Sequence, residues 1–285
     1  MLMRKSSNRQ IVKSFVVALT VTALVGGMPA AVSLAGPMEL VVNGSFEDTT
    51  NGANKFWGTA AQGGSEATGW TGGAGATPIQ AIYTATGATT VGAVQFFSGT
   101  SFTQTLGLWD SSASPDGGNY FASDSAPENS QPLSQTISGL TAGHQYELTF
   151  DYAASQFHCF GTSYWTGATQ SSWYFNLGAT SLVHGQDLTG IAQTQVLAIP
   201  SQGFSGWYTE TYDFTANTAS EVLSFLAASP STGLPPVALL DGVSLVDVTP
   251  SAVPEPSTFA LAGSALFIGG IVALRRRAQL KTAAN

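Results

Sequence analysis

Positive charge is nearly absent from the central part of this 285-residue chain. Of its nine lysine and arginine residues, four precede Gly36 and four follow Leu274, so Lys55 is the single one between them. Sixteen of the 17 acidic residues lie in the same stretch, and residues 36–250 therefore have a net charge of −15. Nucleic-acid binding depends mainly on Lys and Arg side chains that neutralise phosphates. The composition excludes nucleic acid as a partner, whereas it suits divalent cations.

Cysteine is almost absent as well. Cys159 is the one cysteine of the chain, so an intramolecular disulfide is excluded even in a compartment that permits one. His158 precedes it, but zinc needs three or four converging nitrogen or sulfur ligands, and His144 and His184 lie far away in the sequence. We interpret Cys159 as a buried or merely tolerated residue, not as a catalytic or zinc-binding one.

Amphipathic helical patterns are missing from residues 36–250, and short alternating segments recur between clusters of turn-forming residues. This pattern is typical of an all-β sandwich or barrel. The clearest strand is 146–152, where aromatic and aliphatic residues alternate with polar ones. A strand at 133–138 precedes it, and the glycine-bearing connection 139–143 predicts a hairpin between the two. Further strands are predicted at 40–46, 91–97, 173–177, 193–199, 207–215, 222–227 and 237–246.

The N-terminal region has the features of an export signal. Four basic residues precede the apolar stretch 15–27, and in the segment Ser33-Leu34-Ala35 the small residues Ser33 and Ala35 stand at the positions that a signal peptidase recognises. We predict a signal peptide at 1–35 with cleavage after Ala35.

The C-terminal region contains three elements in order: the motif Pro254-Glu255-Pro256, the uncharged segment 257–274, and the cluster Arg275, Arg276 and Arg277. The uncharged segment is at the lower end of the roughly 17–25 residues that a transmembrane helix needs. Arginines beside such a helix resist translocation. We therefore expect the arginines to stay in the cytoplasm and the preceding domain to lie outside.

This order of elements closely resembles the PEP-CTERM sorting signal of Gram-negative bacteria that produce exopolysaccharide. The resemblance implies that an exosortase is a processing partner, which cuts at the Pro-Glu-Pro motif and passes a transiently membrane-anchored protein on to the cell surface or the extracellular biofilm matrix. An ordinary C-terminal anchor helix is the alternative. The predicted organisation is a signal peptide at 1–35, one domain at 36–250 and a sorting signal at 251–285.

Six stretches of the central domain follow a recognisable order: 41–47 (VVNGSFE), 69–71 (GWT), 115–121 (PDGGNYF), 135–140 (QTISGL) leading into 146–152, 207–214, and 240–245 (LDGVSL). Together they resemble the galactose-binding-like jelly rolls, a fold that includes carbohydrate-binding modules and DUF642-type cell-wall proteins. The resemblance implies a two-sheet antiparallel β-sandwich whose first and last strands lie near one another.

The same resemblance implies a structural Ca²⁺ between a glutamate after the first strand and an aspartate in the last strand. Glu47 and Asp241 occupy those positions in this sequence. Calcium takes six to eight oxygen ligands, and backbone carbonyls would have to supply the others. The alternative is that both carboxylates face solvent or cap a turn.

Sugar binding needs aromatic faces beside a few polar groups. Tyr164 and Trp165 lie in a glycine- and threonine-containing segment outside any alternating strand, and Trp109 has a similar setting. We predict these three as carbohydrate contacts. Trp70 and Trp207 fall where the resemblance places packing residues, so we expect both in the core.

An enzymatic function finds no support in the sequence. Glycoside hydrolysis needs two carboxylates across a cleft, and no spacing marks such a pair; no nucleophile elbow, zinc helix or phosphate loop is present either. Two functions of different class remain open: a non-catalytic binder of exopolysaccharide or cell-wall glycan, and a structural surface protein without a specific ligand. A polysaccharide-degrading enzyme is the weakest alternative.

Overall fold

The computed structural model describes residues 38–60, 63–73, 79–90, 94–98, 102–127, 129–159, 165–230 and 234–250, together with Gly270, Ala273, Arg275 and Arg276 in helical conformation. Of residues 94–98, 102–105 and 159, the backbone alone is described. The predicted signal peptide, the Pro-Glu-Pro motif, most of the predicted transmembrane helix and Tyr164 lie outside the described residues. Among the residues that are described, none of the helical segments has the length and hydrophobicity needed to span a bilayer.

Strands dominate the described part of the domain, with one short helix. The elements are β1 (Lys55–Phe56), β2 (Gln80–Thr84), α1 (Ala85–Ala88), β3 (Val94–Ser98), β4 (Phe102–Leu108), β5 (Asn119–Asp124), β6 (Pro132–Ser138), β7 (Gln145–Cys159), β8 (Thr169–Gly178), β9 (Ala192–Gln193), β10 (Leu197–Ile199), β11 (Tyr208–Thr215), β12 (Ser220–Ala228) and β13 (Pro236–Asp247).

Two antiparallel sheets contain these strands. The larger sheet has eight strands in the order β1-β2-β5-β13-β7-β4-β3, and β11 also pairs with β7. The smaller sheet has five, in the order β10-β8-β12-β6, and β9 also pairs with β8. The predicted all-β antiparallel sandwich is confirmed.

The main hydrophobic core consists of side chains from both sheets. On β7, the predicted alternation is confirmed, because Tyr146, Leu148, Phe150 and Tyr152 are all buried in this core. The ring of Phe150 also meets aromatic rings of β8 and β12 edge-on, with centroids 5.1 Å apart in both pairs. Burying a side chain of this size contributes about 1.5–3 kcal/mol, so contacts between the sheets contribute much of the stability of the fold.

The predicted hairpin of 133–138 with 146–152 is wrong. β6 pairs with β12 in the smaller sheet, whereas β7 pairs with β4, β11 and β13 in the larger one. The connection 139–143 has a glycine at φ 85° at each end, and it carries the chain from one sheet to the other. Its Thr141 N–H donates to the hydroxyl of Tyr146 at 2.8 Å, which holds the crossing against the start of β7.

The predicted first strand at 40–46 is also wrong, because these residues form no regular β-strand. One isolated bridge joins Glu39 to Val246 of β13. Beyond it the backbone turns, because Asn43 and Phe46 adopt positive φ angles of 55° and 56°, which an extended strand does not have. The segment nevertheless runs beside β13, since its backbone donates a hydrogen bond to a carbonyl of that strand. The start and the last strand of the domain are therefore neighbours.

Candidate functional site

A second hydrophobic cluster lies on the outer face of the larger sheet, opposite the main core. Its buried members are Ala81, Tyr83, Ala88, Leu108, Tyr120, Ala122, Ala153, Phe157, Val237 and Leu239. Along the strands they alternate with residues that face the main core. Because an apolar outer face is unstable in water, it needs cover, and half-buried aromatic side chains from irregular segments supply part of it.

We define the outer aromatic cluster as Trp109, His158, Trp165, Phe204 and Trp207. Trp109 stacks on His158 with ring centroids 3.6 Å apart and an interplanar angle of 16°. Its indole N–H donates to the carbonyl of Trp165 at 3.1 Å. Burial lowers the pKa of His158, which favours the neutral ring in this stack. Trp109 and Trp165, far apart in sequence, are therefore neighbours in the structure.

Trp207 extends this cluster along the same face of the sheet. Its ring meets Tyr120 edge-on at 5.4 Å and Phe204 at 6.4 Å, and its indole N–H donates to the carbonyl of Ser112 at 3.2 Å. The indole N–H groups of Trp109 and Trp207 thus have protein partners, and both rings are held in fixed orientations. A ligand at this surface would meet preformed aromatic rings.

The structure agrees with the predicted positions of some of these aromatic residues and departs from others. Trp109 and Trp165 come together, whereas Tyr164 lies outside the described residues. Trp70 is buried in the main core as predicted. Trp207 departs from the expected core position, because it is half-buried and packs on the second hydrophobic cluster instead of in the main core.

Sequence reasoning misses the contributions of His158, Phe204 and Trp207 to this surface. The sequence marks His158 only as a neighbour of cysteine. Phe204 and Trp207 lie in the irregular segment before β11, which is rich in glycine and serine. Aromatic residues in such a segment are the available signal, and the same signal marks Trp109 and Trp165.

Glu47 and Asp241, the predicted calcium ligands, both contact the segment 114–119. The backbone N–H of Asn119 donates to Oε1 of Glu47 at 2.5 Å. Ser114 donates through its hydroxyl to Oδ2 of Asp241. The two carboxylates therefore have different partners on one segment.

Asp241 is unusual because its carboxylate is buried and only partly hydrogen-bonded. Its side chain is fully buried, and Oδ1 has no hydrogen-bond partner among the described residues. Burial raises the pKa of Asp241 to about 8, and the nearby charges of Asp116 and Asp151 act in the same direction. Hydrogen bonds from Ser114 and from the backbone of Gly242 oppose this shift without cancelling it.

The fit of a divalent cation rests on this unpartnered oxygen. Calcium prefers oxygen ligands. Oδ1 of the Asp241 carboxylate is buried and accepts no hydrogen bond from the described residues. Asp151 is less available, because Thr209 donates to its Oδ1 at 2.6 Å. Within the described ranges, no three His, Cys, Asp or Glu side chains form a group that could hold a metal. A cation here would therefore need backbone carbonyls as well.

Comparison with known proteins identifies the C-terminal signal. Residues 252–277 match the PEP-CTERM protein-sorting motif, in agreement with the predicted sorting signal. The motif indicates a secreted protein that is sorted to the cell envelope or surface. Of the predicted sorting residues, Arg275 and Arg276 are described and are helical. A sequence comparison with curated proteins finds no match.

Several solved structures resemble the domain at low sequence identity. An apo cyclase from Fischerella sp. is 15% identical with a TM-score of 0.40, over 75% of this chain and 98% of the other. TmCBM61 in complex with beta-1,4-galactotriose is 12% identical with a TM-score of 0.33, over 74% and 99%. The CBM22-1 xylan-binding domain of Paenibacillus barcinonensis Xyn10C is 12% identical with a TM-score of 0.35, over 75% and 97%. These values are too low to transfer any of their activities to this chain.

Proposed function

We propose that the protein is exported, processed by an exosortase at its PEP-CTERM motif, and retained at the cell surface or in the matrix as a non-catalytic binder of polysaccharide. The outer aromatic cluster is the observation that carries the binding part of this proposal. Trp109, Trp165 and Trp207 are half-buried rather than enclosed, and two of them have their indole N–H groups bonded within the protein. Fixed rings of this kind suit the apolar faces of pyranose rings.

The cluster loses little conformational freedom when a ligand binds. The stack of Trp109 on His158 and the contact of Trp207 with Tyr120 hold the rings before binding. Ordering flexible side chains costs roughly 0.5–1.5 kcal/mol for each one. A surface that is already ordered avoids much of that cost, which favours binding over a purely structural role for these aromatic residues.

We propose in addition that a structural Ca²⁺ is bound through Asp241, with Glu47 as a second carboxylate ligand. The buried and unpartnered Oδ1 of Asp241 supports this proposal, as does the contact of both carboxylates with segment 114–119. Bound calcium would supply the positive charge that the domain lacks at this position, and it would stabilise the folded state by mass action.

The binding proposal is tested by retention of the full-length protein on the exopolysaccharide of its own host, with bound protein measured as a function of polysaccharide concentration. Replacing Trp109 or Trp165 by alanine should weaken binding up to about tenfold, because aromatic stacking is worth roughly 0.5–1.5 kcal/mol beyond area burial. Val183 is 59% exposed on another segment, so Val183→Ala is the matched control and should leave binding unchanged.

Two results would contradict the proposal. If the wild-type protein is not retained, a structural surface protein without a specific ligand replaces it. If retention is normal but both tryptophan variants bind as well as Val183→Ala, the polysaccharide site lies elsewhere. Thermal melts of each variant separate loss of binding from loss of folding, which matters because Trp165 also packs on the second hydrophobic cluster.

A further inference from the structure

Strand β11 carries an aromatic surface that is separate from the outer aromatic cluster. We define Tyr208, Glu210 and Tyr212 as the β11 strip. Their partners across the pairing of β11 with β7 are three residues of the main core, namely Tyr152, Phe150 and Leu148. The strip therefore projects from the inner side of the larger sheet. Tyr208 and Tyr212 are nevertheless 44% and 41% exposed.

The two tyrosine rings of the β11 strip are supported from below by other rings. The ring centroids of Tyr208 and Tyr152 are 5.9 Å apart. The ring of Tyr212 meets that of Phe175 edge-on, with centroids 5.4 Å apart, and its centroid is 4.8 Å from that of Phe214. Each tyrosine is therefore oriented by neighbouring rings while part of its surface remains accessible. From the rise of a strand, about 3.4 Å per residue, each tyrosine Cα is roughly 7 Å from the Cα of the glutamate between them.

Glu210 is half-buried between these rings, and its carboxylate has neither a hydrogen-bond donor nor a basic side chain in the described part of the chain. Burial raises its pKa, since partial loss of water disfavours the ionised form. The one lysine of residues 36–250 is Lys55. It lies on β1, which is separated from β7 by three strands of the larger sheet. Within the residues that the structure describes, the domain therefore places no Lys or Arg beside this carboxylate.

We infer that the β11 strip binds a polysaccharide that carries free amino groups, such as a hexosamine polymer that has lost part of its N-acetyl groups. An ammonium group can donate to the Glu210 carboxylate and lie beside the tyrosine rings, whose faces attract cations. The pyranose rings on either side stack on Tyr208 and Tyr212. The net charge of −15 over residues 36–250 adds long-range attraction for such a polymer.

This inference rests on the proposed glycan binding and adds the chemical class of the ligand and a second contact surface. Anionic polysaccharides are disfavoured at the strip, because a uronate would face Glu210 without a counterion. A neutral glycan would stack on the tyrosines but would leave the partly desolvated carboxylate without a cationic partner. The amine-bearing polymer satisfies the rings and the carboxylate together.

The test is isothermal titration calorimetry of the full-length protein in detergent with two probes, the glucosamine hexasaccharide and the N-acetylglucosamine hexasaccharide. The wild-type protein should bind the glucosamine hexamer at least tenfold more tightly. Glu210→Gln should weaken binding of that hexamer about tenfold and remove most of the preference. Tyr212→Ala should weaken binding of both hexamers, which tests the strip without changing its charge.

Asp213→Asn is the matched control. Asp213 is exposed on the same strand but projects from the opposite side, across from Glu147, so this variant removes one negative charge without touching the strip. It should bind the glucosamine hexamer as the wild type does. If Asp213→Asn weakens binding as much as Glu210→Gln, the attraction is diffuse electrostatics and the inference is overturned.

Equal affinity for both hexamers, or no binding of the glucosamine hexamer, also overturns it. Retention on host exopolysaccharide that depends on Trp109 and Trp165 would survive either of these results, so failure of the β11 strip is distinguishable from failure of the proposed function. Melts of Glu210→Gln and Tyr212→Ala verify that each variant is folded.

Discussion

At the scale of single residues, two carboxylates of this domain lie where an ionised group is poorly solvated. Asp241 is fully buried, and Glu210 is half-buried between tyrosines. Burial raises the pKa of both. In many proteins a nearby Lys or Arg compensates such a position, but residues 36–250 contain Lys55 as their single lysine and no arginine. The proposed cations take that place, Ca²⁺ at one carboxylate and an ammonium group at the other.

Asp241 leads to a prediction about stability and pH. Its pKa is about 8 in the folded protein and close to the ordinary value of 3.8 in the unfolded chain. Between these values the folded state holds a proton that the unfolded state has lost, so the free energy of unfolding should fall as pH rises from about 4 to 8. In chelator, the melting temperature should decline over this range, and that of Asp241→Asn should decline much less.

Adding Ca²⁺ to the same variants tests whether Asp241 is a calcium ligand. Ca²⁺ at the ionised carboxylate should restore the melting temperature of the wild-type protein near pH 8, whereas Asp241→Asn should respond weakly. Asp213→Asn, which removes an exposed carboxylate, should behave like the wild type throughout. A pH slope that is the same in wild type and Asp241→Asn would rule out a perturbed Asp241. An unchanged melt on adding chelator to calcium-loaded protein would rule out the calcium site.

At the scale of secondary-structure elements, the irregular segment before β1 is fastened to β13 by close backbone contact. The carbonyl of Gly44 accepts a hydrogen bond from Val243 N–H at 3.0 Å. An added Cβ on Gly44 would lie 1.8 Å from the carbonyl oxygen of Val243, a clash that no side-chain movement can relieve. The start of the domain can lie this close to its last strand because residue 44 has no side chain.

We therefore predict that Gly44→Ala destabilises the domain by about 1–3 kcal/mol, the usual effect of overpacking. In a domain of this size, each kcal/mol lowers the melting temperature by about 2–4 °C. Val42→Ala is the control, since Val42 lies two residues away with its side chain 57% exposed. Thermal denaturation followed by circular dichroism measures both. Equal melting temperatures for the two variants would show that this backbone contact is unimportant.

Strand positions are largely predictable, because alternation marks each strand locally. β12 and β13 match the predicted 222–227 and 237–246 to within a few residues. Strand pairing is not predictable in the same way. β6 and β7 both bury one apolar face in the same core, and their alternation is the same whether they share a sheet or lie in opposite ones. Similarly, the split of 193–199 into β9 and β10 depends on pairing with different parts of β8.

The candidate site is predictable in part for a related reason. Trp109 and Trp165 stand out because they fall outside alternating strands. The apolar outer face on which Trp165 packs is formed by residues such as Tyr120 and Leu239, and burial on both sides of a strand removes the alternation that would reveal it. The β11 strip is hidden differently, since its tyrosines alternate as core residues do and differ only in their exposure.

At the scale of the whole molecule, the two proposed glycan contacts lie on opposite faces of the larger sheet. The outer aromatic cluster packs on the outer face, and the β11 strip projects from the inner side. With both surfaces occupied, one molecule would contact two polysaccharide segments and would cross-link neighbouring polysaccharide chains of a matrix. The strong negative charge of the domain would keep such molecules apart from one another while they attract an amine-bearing polymer.

The distribution of charge along the chain predicts how its ends are processed. Lysine and arginine residues are confined to the regions before Gly36 and after Leu274, apart from Lys55, and the PEP-CTERM motif covers 252–277. We expect protein recovered from the cell surface to begin at Gly36 and to end near Pro254-Glu255-Pro256, because signal peptidase and exosortase would each remove one basic end. Intact-mass measurement of surface and released protein checks both ends.

The Pro-Glu-Pro motif itself is tested by replacing Pro254, Glu255 and Pro256 with alanines. This variant should keep its C-terminal segment and stay at the membrane, because the exosortase would no longer find its cleavage motif. Alanines at the exposed Val183 and His184 are the control, and they should leave processing unchanged because both residues lie far from the motif in sequence. Wild-type surface protein that still contains residues 257–274 would contradict exosortase cleavage. In that case the hydrophobic segment and its arginines would act as an ordinary anchor, and the glycan-binding domain would be displayed from the membrane and not released into the matrix.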